Sequence, residues 1–361
     1  MANLTEIWVR TDDFRATKKV EAPQPKIGPG QVLMQVDQAA LTANNVTYAV
    51  AGFAIGYWGF FPTGEDGWGK VPVWGYATVL ESHCEGVEPG EVIYGYWPLA
   101  SHVVLEPAGV RASGFIDGAE HRQKLPGLYN QYNRKMAEPA VLKGMDTERC
   151  LYFPLFVTSY LLYDYLLANQ YFGARQVVIG SASSKTAFGL AHALHHADGA
   201  PDVIGFTSPG NFDFSEALGL YDRVRTYGSE AEIDASLPTA YVDMSGDARL
   251  TTALHTHCGE NLVESCMVGI THWEAMRRDL PDLPGAKPTM FFAPGQIETR
   301  DAEWGRGVIM ERALAACAAM AKDAREWVSV EWVNGAPAIE AEWAALVDGK
   351  VSPKRGLMIA F

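Results

Sequence analysis

The segment Gln176-Val-Val-Ile-Gly180, continued by Ser181-Ala-Ser-Ser-Lys-Thr-Ala187 and Phe188-Gly-Leu-Ala-His192, joins an apolar run, a turn of small residues and a helical pattern. Small residues let a backbone approach a pyrophosphate, and the first turn of a helix offers unpaired N–H groups and the positive end of its dipole to an anion. The spacing departs from GxGxxG, because Ser181, Ser183, Ser184 and Lys185 stand where glycines are commoner. The chemistry on offer is therefore hydroxyls and an ammonium, with Gly180 and Thr186 completing the turn. A plain strand-to-helix turn with a capping serine is the competing reading.

The next apolar run ends in Gly205-Phe-Thr-Ser-Pro-Gly-Asn211. It has no Asp or Glu at the position that binds the ribose hydroxyls in NAD-selective sheets. Thr207, Ser208 and Asn211, with Lys185 or Tyr227, are candidate donors to a 2′-phosphate, so the expected cofactor is NADP(H). Asp243-Met244 and Gly269 close two further apolar runs at the side of the sheet where ligands gather, and are candidate cofactor neighbours. His272, after Val268-Gly-Ile-Thr271, falls at the carboxyl end of a predicted strand and is a candidate cofactor or substrate contact, or else a plain strand-end residue. The adjacent amides Asn44 and Asn45, read at a strand end, suit a ligand carbonyl or the nicotinamide carboxamide, or else satisfy a turn.

Imidazole and thiolate bind zinc, and His255-Thr-His-Cys258 with Cys266 and His272 brings both together in sequence. The two histidines, however, fall at a predicted helix end and Cys266 inside a predicted buried strand. No metal site is expected. The five cysteines are dispersed without a CxxC pair and read as reduced thiols in cores.

The elements that must position these groups follow from the hydrophobic pattern. Up to about residue 105 the chain reads as short strands between turns, including Gln31–Val36 and Glu91–Tyr94. The stretch Gly52–Pro62, rich in aromatics and glycine, lines a cleft or caps this lobe. Residues 107–150 look like an irregular insertion carrying Arg111, Arg122, Lys124, Arg134, Lys135, Lys143 and Arg149. A local positive field there would favour an anionic substrate such as an acyl thioester or carboxylate, although a solvated loop explains it as well. From Leu151 apolar runs alternate with helix-sized gaps, as in a doubly wound parallel sheet. The expected divisions are 1–150, 151–295 and a carboxyl-terminal return to the first domain over 296–361. At 361 residues the chain is long enough for two cores. Its net charge of −14 excludes wrapping of nucleic acid. It shows neither a leader pattern nor a membrane-length apolar run, so a cytoplasmic protein with a small-molecule substrate is expected.

Pro29-Gly-Gln-Val-Leu33, Ala43-Asn-Asn-Val-Thr-Tyr-Ala-Val-Ala-Gly52, Pro89-Gly-Glu-Val-Ile-Tyr-Gly95 and Leu346-Val-Asp-Gly-Lys350, in this order around the strand-turn-helix, resemble the medium-chain dehydrogenase/reductase superfamily. The likeness is to its zinc-free quinone-oxidoreductase and enoyl-reductase branch, in a divergent subfamily. It implies an α/β protein with a GroES-like β-barrel domain and a Rossmann-type doubly wound parallel sheet, and a homodimer. Ala43 and Tyr76-Ala77 stand where zinc-dependent relatives carry ligands, and the four-cysteine zinc lobe has no counterpart. Tyr48 matches a tyrosine of the zinc-free relatives and is the implied donor to the substrate, and Thr158 lies where they carry a threonine near the cofactor. The expected activity is hydride transfer to an activated C=C or C=O group: an enone, enoyl thioester, quinone, aldehyde or ketone. The alternatives are a non-catalytic NADPH-binding sensor, or an enzyme that uses the turn for another phosphate-bearing ligand.

Overall fold

The computed structural model describes residues 3–269 and 282–361. The chain divides into two compact units, one formed by Met1–Leu151, Ser329–Val351 and Arg355–Phe361, the other by Tyr152–Val328 with Ser352–Lys354.

In the first unit β1 (Leu4–Arg10) pairs antiparallel with β2 (Thr17–Ala22) on one side, and on the other with β4 (Trp68–Gly69). The larger sheet is organised around β3 (Val32–Leu41) and β5 (Pro72–Ser82), whose antiparallel register slips near Met34 and Asp37. Such bulges bend a strand and increase its twist. β6 (Val92–Pro98) follows β5, and β7 (His102–Leu105) pairs back on β3. Between β3 and β4 the chain forms helix α1 (Ala43–Val50) rather than the end of a strand. Asn45 starts it, because its Oδ1 accepts the Thr42 N–H at 2.6 Å in a capping-box arrangement.

The expected irregular insertion at 107–150 is largely ordered into the same sheet. β8 (Pro107–Arg111), β9 (Gly114–Asp117) and β10 (Gln131–Arg134) continue it beyond β6 in the order β6-β10-β9-β8, and α2 (Asp146–Leu151) closes the segment. Four of its seven basic residues are tied to acids: Arg122 to Asp117 at 3.1 Å, Arg134 to Glu91 at 2.8 Å, Lys135 to Asp146 and Arg149 to Glu138. The segment is therefore not a solvated loop, and these four charges neutralise acids within the unit.

The second unit begins with α3 (Phe153–Ala168) and continues through β11 (Gln176–Gly180), α4 (Lys185–His195), β12 (Asp202–Thr207), α5 (Phe212–Ala217), β13 (Arg223–Thr226) and β14 (Thr239–Asp243). α6 (Ala248–Cys258), β15 (Leu262–Met267), β16 (Thr289–Met290), α7 (Ala293–Trp304) and α8 (Val308–Trp327) complete it. The strands are parallel, in the order β13-β12-β11-β14-β15-β16. This is the doubly wound order, reversing direction beside β11, that the alternating pattern predicts. Every residue of β11 and β14 is buried, which explains continuous rather than alternating apolar runs. The helix α8 buries Ile309, Ala313, Cys317, Met320 and Ala324, a stripe at helical spacing, and packs with α7 on α3. The return to the first unit therefore falls at Ser329, not at 296: β17 (Ser329–Asn334), α9 (Ala336–Val347) and β18 (Arg355–Ala360) rejoin it, with β18 lying between β17 and β3. Among the described residues no helix is long and apolar enough to cross a membrane.

Candidate active site

At the carboxyl end of β11 the chain turns sharply. Ser184 N donates to Ser181 O at 2.8 Å, and Ser181 adopts a left-handed φ of 56°. That conformation costs a side-chain-bearing residue about 1 kcal/mol and is the usual reason for glycine in a phosphate turn. Here the backbone shape of a glycine turn is kept with a serine in it. Two neighbours hold the shape: Tyr221 Oη donates to Ala182 O at 2.7 Å, and Ser181 N donates to Tyr227 Oη at 3.2 Å. Ser184 is the N-cap of α4, accepting from Ala187 N at 3.3 Å, so the capping reading holds for this serine. Thr186 accepts Ser159 Oγ at its carbonyl, 2.8 Å away. Ser159 was not legible as a site residue; it sits where α3 and α4 approach so closely that a Cβ on Gly189 would lie 2.6 Å from its Oγ.

Ser183 is the hydroxyl that reaches the neighbouring strand. Its Oγ accepts from Thr207 Oγ1 at 3.4 Å and from Asn211 Nδ2 at 3.2 Å, joining the turn to the end of β12. Ser208 follows Thr207 and is half-buried. Lys185 opens α4, half-buried, and desolvation lowers its ammonium to about 8.

The other candidates at this edge also make structural contacts. Asp243 Oδ1 accepts from Ser245 N at 2.8 Å, Ser245 Oγ at 2.6 Å and Gly246 N at 3.0 Å, fixing the loop after β14, while burial raises its carboxyl above the usual range. The Asp243 carbonyl accepts from Val268 N and Gly269 N, and a Cβ on Gly269 would come within 2.6 Å of Met244 O. Gly269 is thus a close backbone crossing beside buried Met244. Thr158 bonds its own helix at Pro154 O, 3.3 Å away. His272 lies outside the described residues. His255 bonds Pro284 O at 2.8 Å and Ser265 Oγ at 2.9 Å, and His257 bonds Ile233 O at 2.8 Å; both are helix-end residues anchored to loops and strand, as their positions suggested.

In the first unit Tyr48 lies on α1, 5% exposed, within a cluster of Tyr57, Phe60, Phe61 and Tyr96 that Trp74 and Tyr129 flank. Its ring stands 4.7 Å from Tyr57 and 5.4 Å from Tyr96, edge-on to the latter. Trp74 Nε1 donates to Tyr48 Oη at 3.0 Å, and Tyr57 and Tyr129 share a hydroxyl contact of 2.9 Å. Burial drives the Tyr48 hydroxyl well above 10, with the Tyr129 hydroxyl adding to the effect, although bonds from Trp74 and Asn44 oppose it. A phenol so desolvated donates a hydrogen bond but surrenders its proton reluctantly. The Tyr96 hydroxyl is buried without a hydrogen-bond partner among the described residues. Such an orphan is costly and points to a missing polar group. Neither Trp74 nor Tyr96 carries any local signal; only strand pairing between β5 and β6 reveals them. Asn45 has structural partners on both sides of its amide: it accepts from Thr42 and donates to Pro72 O at 2.8 Å. It builds the helix start, whereas Asn44 bonds the Tyr48 hydroxyl.

A family model described as "Protein of unknown function (DUF2855)" matches residues 39–352. The chain belongs to this family. No curated protein matches the sequence. Among solved structures it is similar to CurA from Vibrio vulnificus in complex with NADPH, with TM-score 0.64 and 14% identity over 98% of both chains. It is also similar to the yhdH oxidoreductase from Salmonella enterica in complex with NADP, with TM-score 0.52 and 13% identity over 99% of both. A mutant form of enoyl thioester reductase from Candida tropicalis gives TM-score 0.55 and 10% identity over all of both chains. At these identities the likeness is one of fold: a GroES-like unit with a Rossmann-type sheet.

Proposed function

We propose that this chain is an NADP(H)-dependent oxidoreductase of the medium-chain dehydrogenase/reductase type, in its zinc-free branch. The observation that carries the reading is the turn itself. Ser181 holds glycine's left-handed geometry at the tip of β11, and Ser183, Thr207 and Asn211 converge at the end of β12 with no carboxylate in the tract Thr207–Asn211. Hydroxyls, an amide and the Lys185 ammonium suit a 2′-phosphate, while the amino terminus of α4 suits the pyrophosphate. The relatives of like fold crystallised with NADPH or NADP support the same cofactor.

The bound nicotinamide would supply a hydride for an activated C=C or C=O group. Tyr48, with its hydroxyl oxygen already accepting from Trp74, is assigned to donate a hydrogen bond to the substrate carbonyl, and the orphan Tyr96 hydroxyl is a second donor. Both polarise rather than protonate, because burial holds each phenol well above 10. The aromatic walls favour an apolar enone, quinone or thioester acyl chain.

Fluorescence titration with NADPH and NADH tests the cofactor assignment. Enhancement with NADPH at a dissociation constant at least about tenfold lower is expected, since charge-assisted phosphate bonds contribute about 1.5–3 kcal/mol. Equal constants would remove the NADP preference, and no binding of either would remove the class. NADPH binding without oxidation across enones, enoyl thioesters, quinones and aldehydes would favour the sensor reading, for which the close packing around Tyr48 is the argument. The edge strand β16, with Met290 62% exposed and Phe292 just beyond it 66% exposed, is assigned to a homodimer contact. Light scattering of Phe292→Asp should then report a monomer.

A further inference from the structure

The far end of α4 carries a second cluster that hydride transfer does not use. His192 stands in the last turn of α4, His196 is the C-cap one turn on, and Asp323 projects from α8. One donor atom from each lies within 4.8 Å of the others. His192 Nε2 is 2.8 Å from Asp323 Oδ2, and the two imidazole rings are 4.3 Å apart at 36°. We propose that His192, His196 and Asp323 form a binding site for a divalent transition metal, Zn²⁺ foremost, that clamps the end of α4 to α8.

Several features make this more than a surface coincidence. Histidines at i and i+4 share one helix face, the spacing by which helical pairs grip zinc. His196 Nδ1 lies 2.9 Å from His192 O and, donating there, leaves Nε2 with its lone pair free for a metal. A backbone carbonyl orienting a ligand imidazole in this way is the usual support around such ions. His192 is buried, so its ring is held in place by packing and needs little ordering to accept an ion. Ligands about 2.1 Å from a tetrahedral zinc stand roughly 3.4 Å apart, so small side-chain rotations suffice. His196 and Asp323 are exposed, which leaves an entry path and room for a water in the fourth position. The carboxyl end of α4, with its negative dipole end, also favours a cation. Two imidazoles and one carboxylate suit zinc over calcium or magnesium, which prefer oxygen.

The site is seven residues along α4 from the phosphate turn, about 10 Å by helix rise, so it would anchor the helix rather than meet the cofactor's phosphates. Isothermal titration of the metal-free chain with ZnCl₂ tests it, in a Cys84→Ser background so that the half-buried thiol does not compete. One equivalent should bind, with a melting temperature that rises with metal concentration. His196→Ala should weaken binding at least tenfold and abolish the visible d–d absorption of bound Co²⁺, and Asp323→Asn should weaken it less. Both changes are on exposed side chains, and unliganded melting of each variant reports whether it folds. Zinc binding of equal affinity in both variants, or none below about 1 mM, would overturn the proposal.

Discussion

The carboxyl edge of the parallel sheet and the Tyr48 cluster both gather hydroxyl groups, yet they gather them differently. At the sheet edge Thr207 and Asn211 each donate to Ser183 Oγ, at 3.4 and 3.2 Å, long contacts on small side chains that an incoming phosphate can replace. Around Tyr48 the hydroxyls ride on rings in edge-to-face contact, and desolvation keeps them protonated. The first arrangement suits binding an anion; the second suits presenting a neutral donor to an uncharged group. An enzyme that holds a charged cofactor and reduces an apolar substrate needs one of each.

The contrast breaks most readily at Tyr48. Tyr48→Phe should lower kcat about 100-fold on any substrate found in the panel, near the low end for loss of a positioned donor, while leaving the NADPH dissociation constant unchanged. Undiminished turnover would strip the cluster of its role. At the other region Asn211→Asp places a carboxylate beside Ser183, and like charges facing a 2′-phosphate should weaken NADPH about 30-fold but NADH hardly at all; equal losses would mean the phosphate lies elsewhere. The Lys185 ammonium predicts a pH dependence. It is charged below about 8 and neutral above, so NADPH affinity should fall, by up to about tenfold, as pH rises through 8, and Lys185→Met should flatten the profile. The same lowered pKa means the unfolded chain binds the extra proton between about 8 and the ordinary lysine value, so the stability of the unliganded protein should rise over that window. The smallest effect is expected for Ser181→Gly, which relieves the left-handed backbone and should raise stability by about 0.5–1 kcal/mol in denaturant melts, the gain reduced by glycine's unfolded-state entropy.

The parallel sheet was legible because burial on both faces writes each strand as an unbroken apolar run; Val177–Ile179, Val203–Phe206 and Ala240–Asp243 all fall within observed strands. β13, Arg-Val-Arg-Thr at the sheet's edge, carries no such run and was missed. Helix α1 was hidden by its β-branched Val46, Thr47 and Val50, and by an asparagine doing what glutamate does in a capping box. Residues 107–150 looked irregular because their strands are four or five residues long and their buried arginines imitate surface. At the candidate site, residue types at the phosphate turn could be read, but their employment could not: nothing local distinguishes Ser183, which reaches across to β12, from Ser184, which caps a helix. Asp243 and Asn45 read as ligand groups in the sequence, and their work as loop and helix fasteners shows only in the structure.

The placement of β18 has a consequence for how the chain reaches this state. Residues 357–359 pair with 39–41, so the principal sheet of the first unit cannot close until more than 300 intervening residues have been made. The second unit, nearly continuous from Tyr152 to Val328, depends on no such distant partner. During synthesis the later-made unit is therefore the one able to fold first, and β3 waits with its Ala39–Leu41 edge open and vulnerable to wrong pairing.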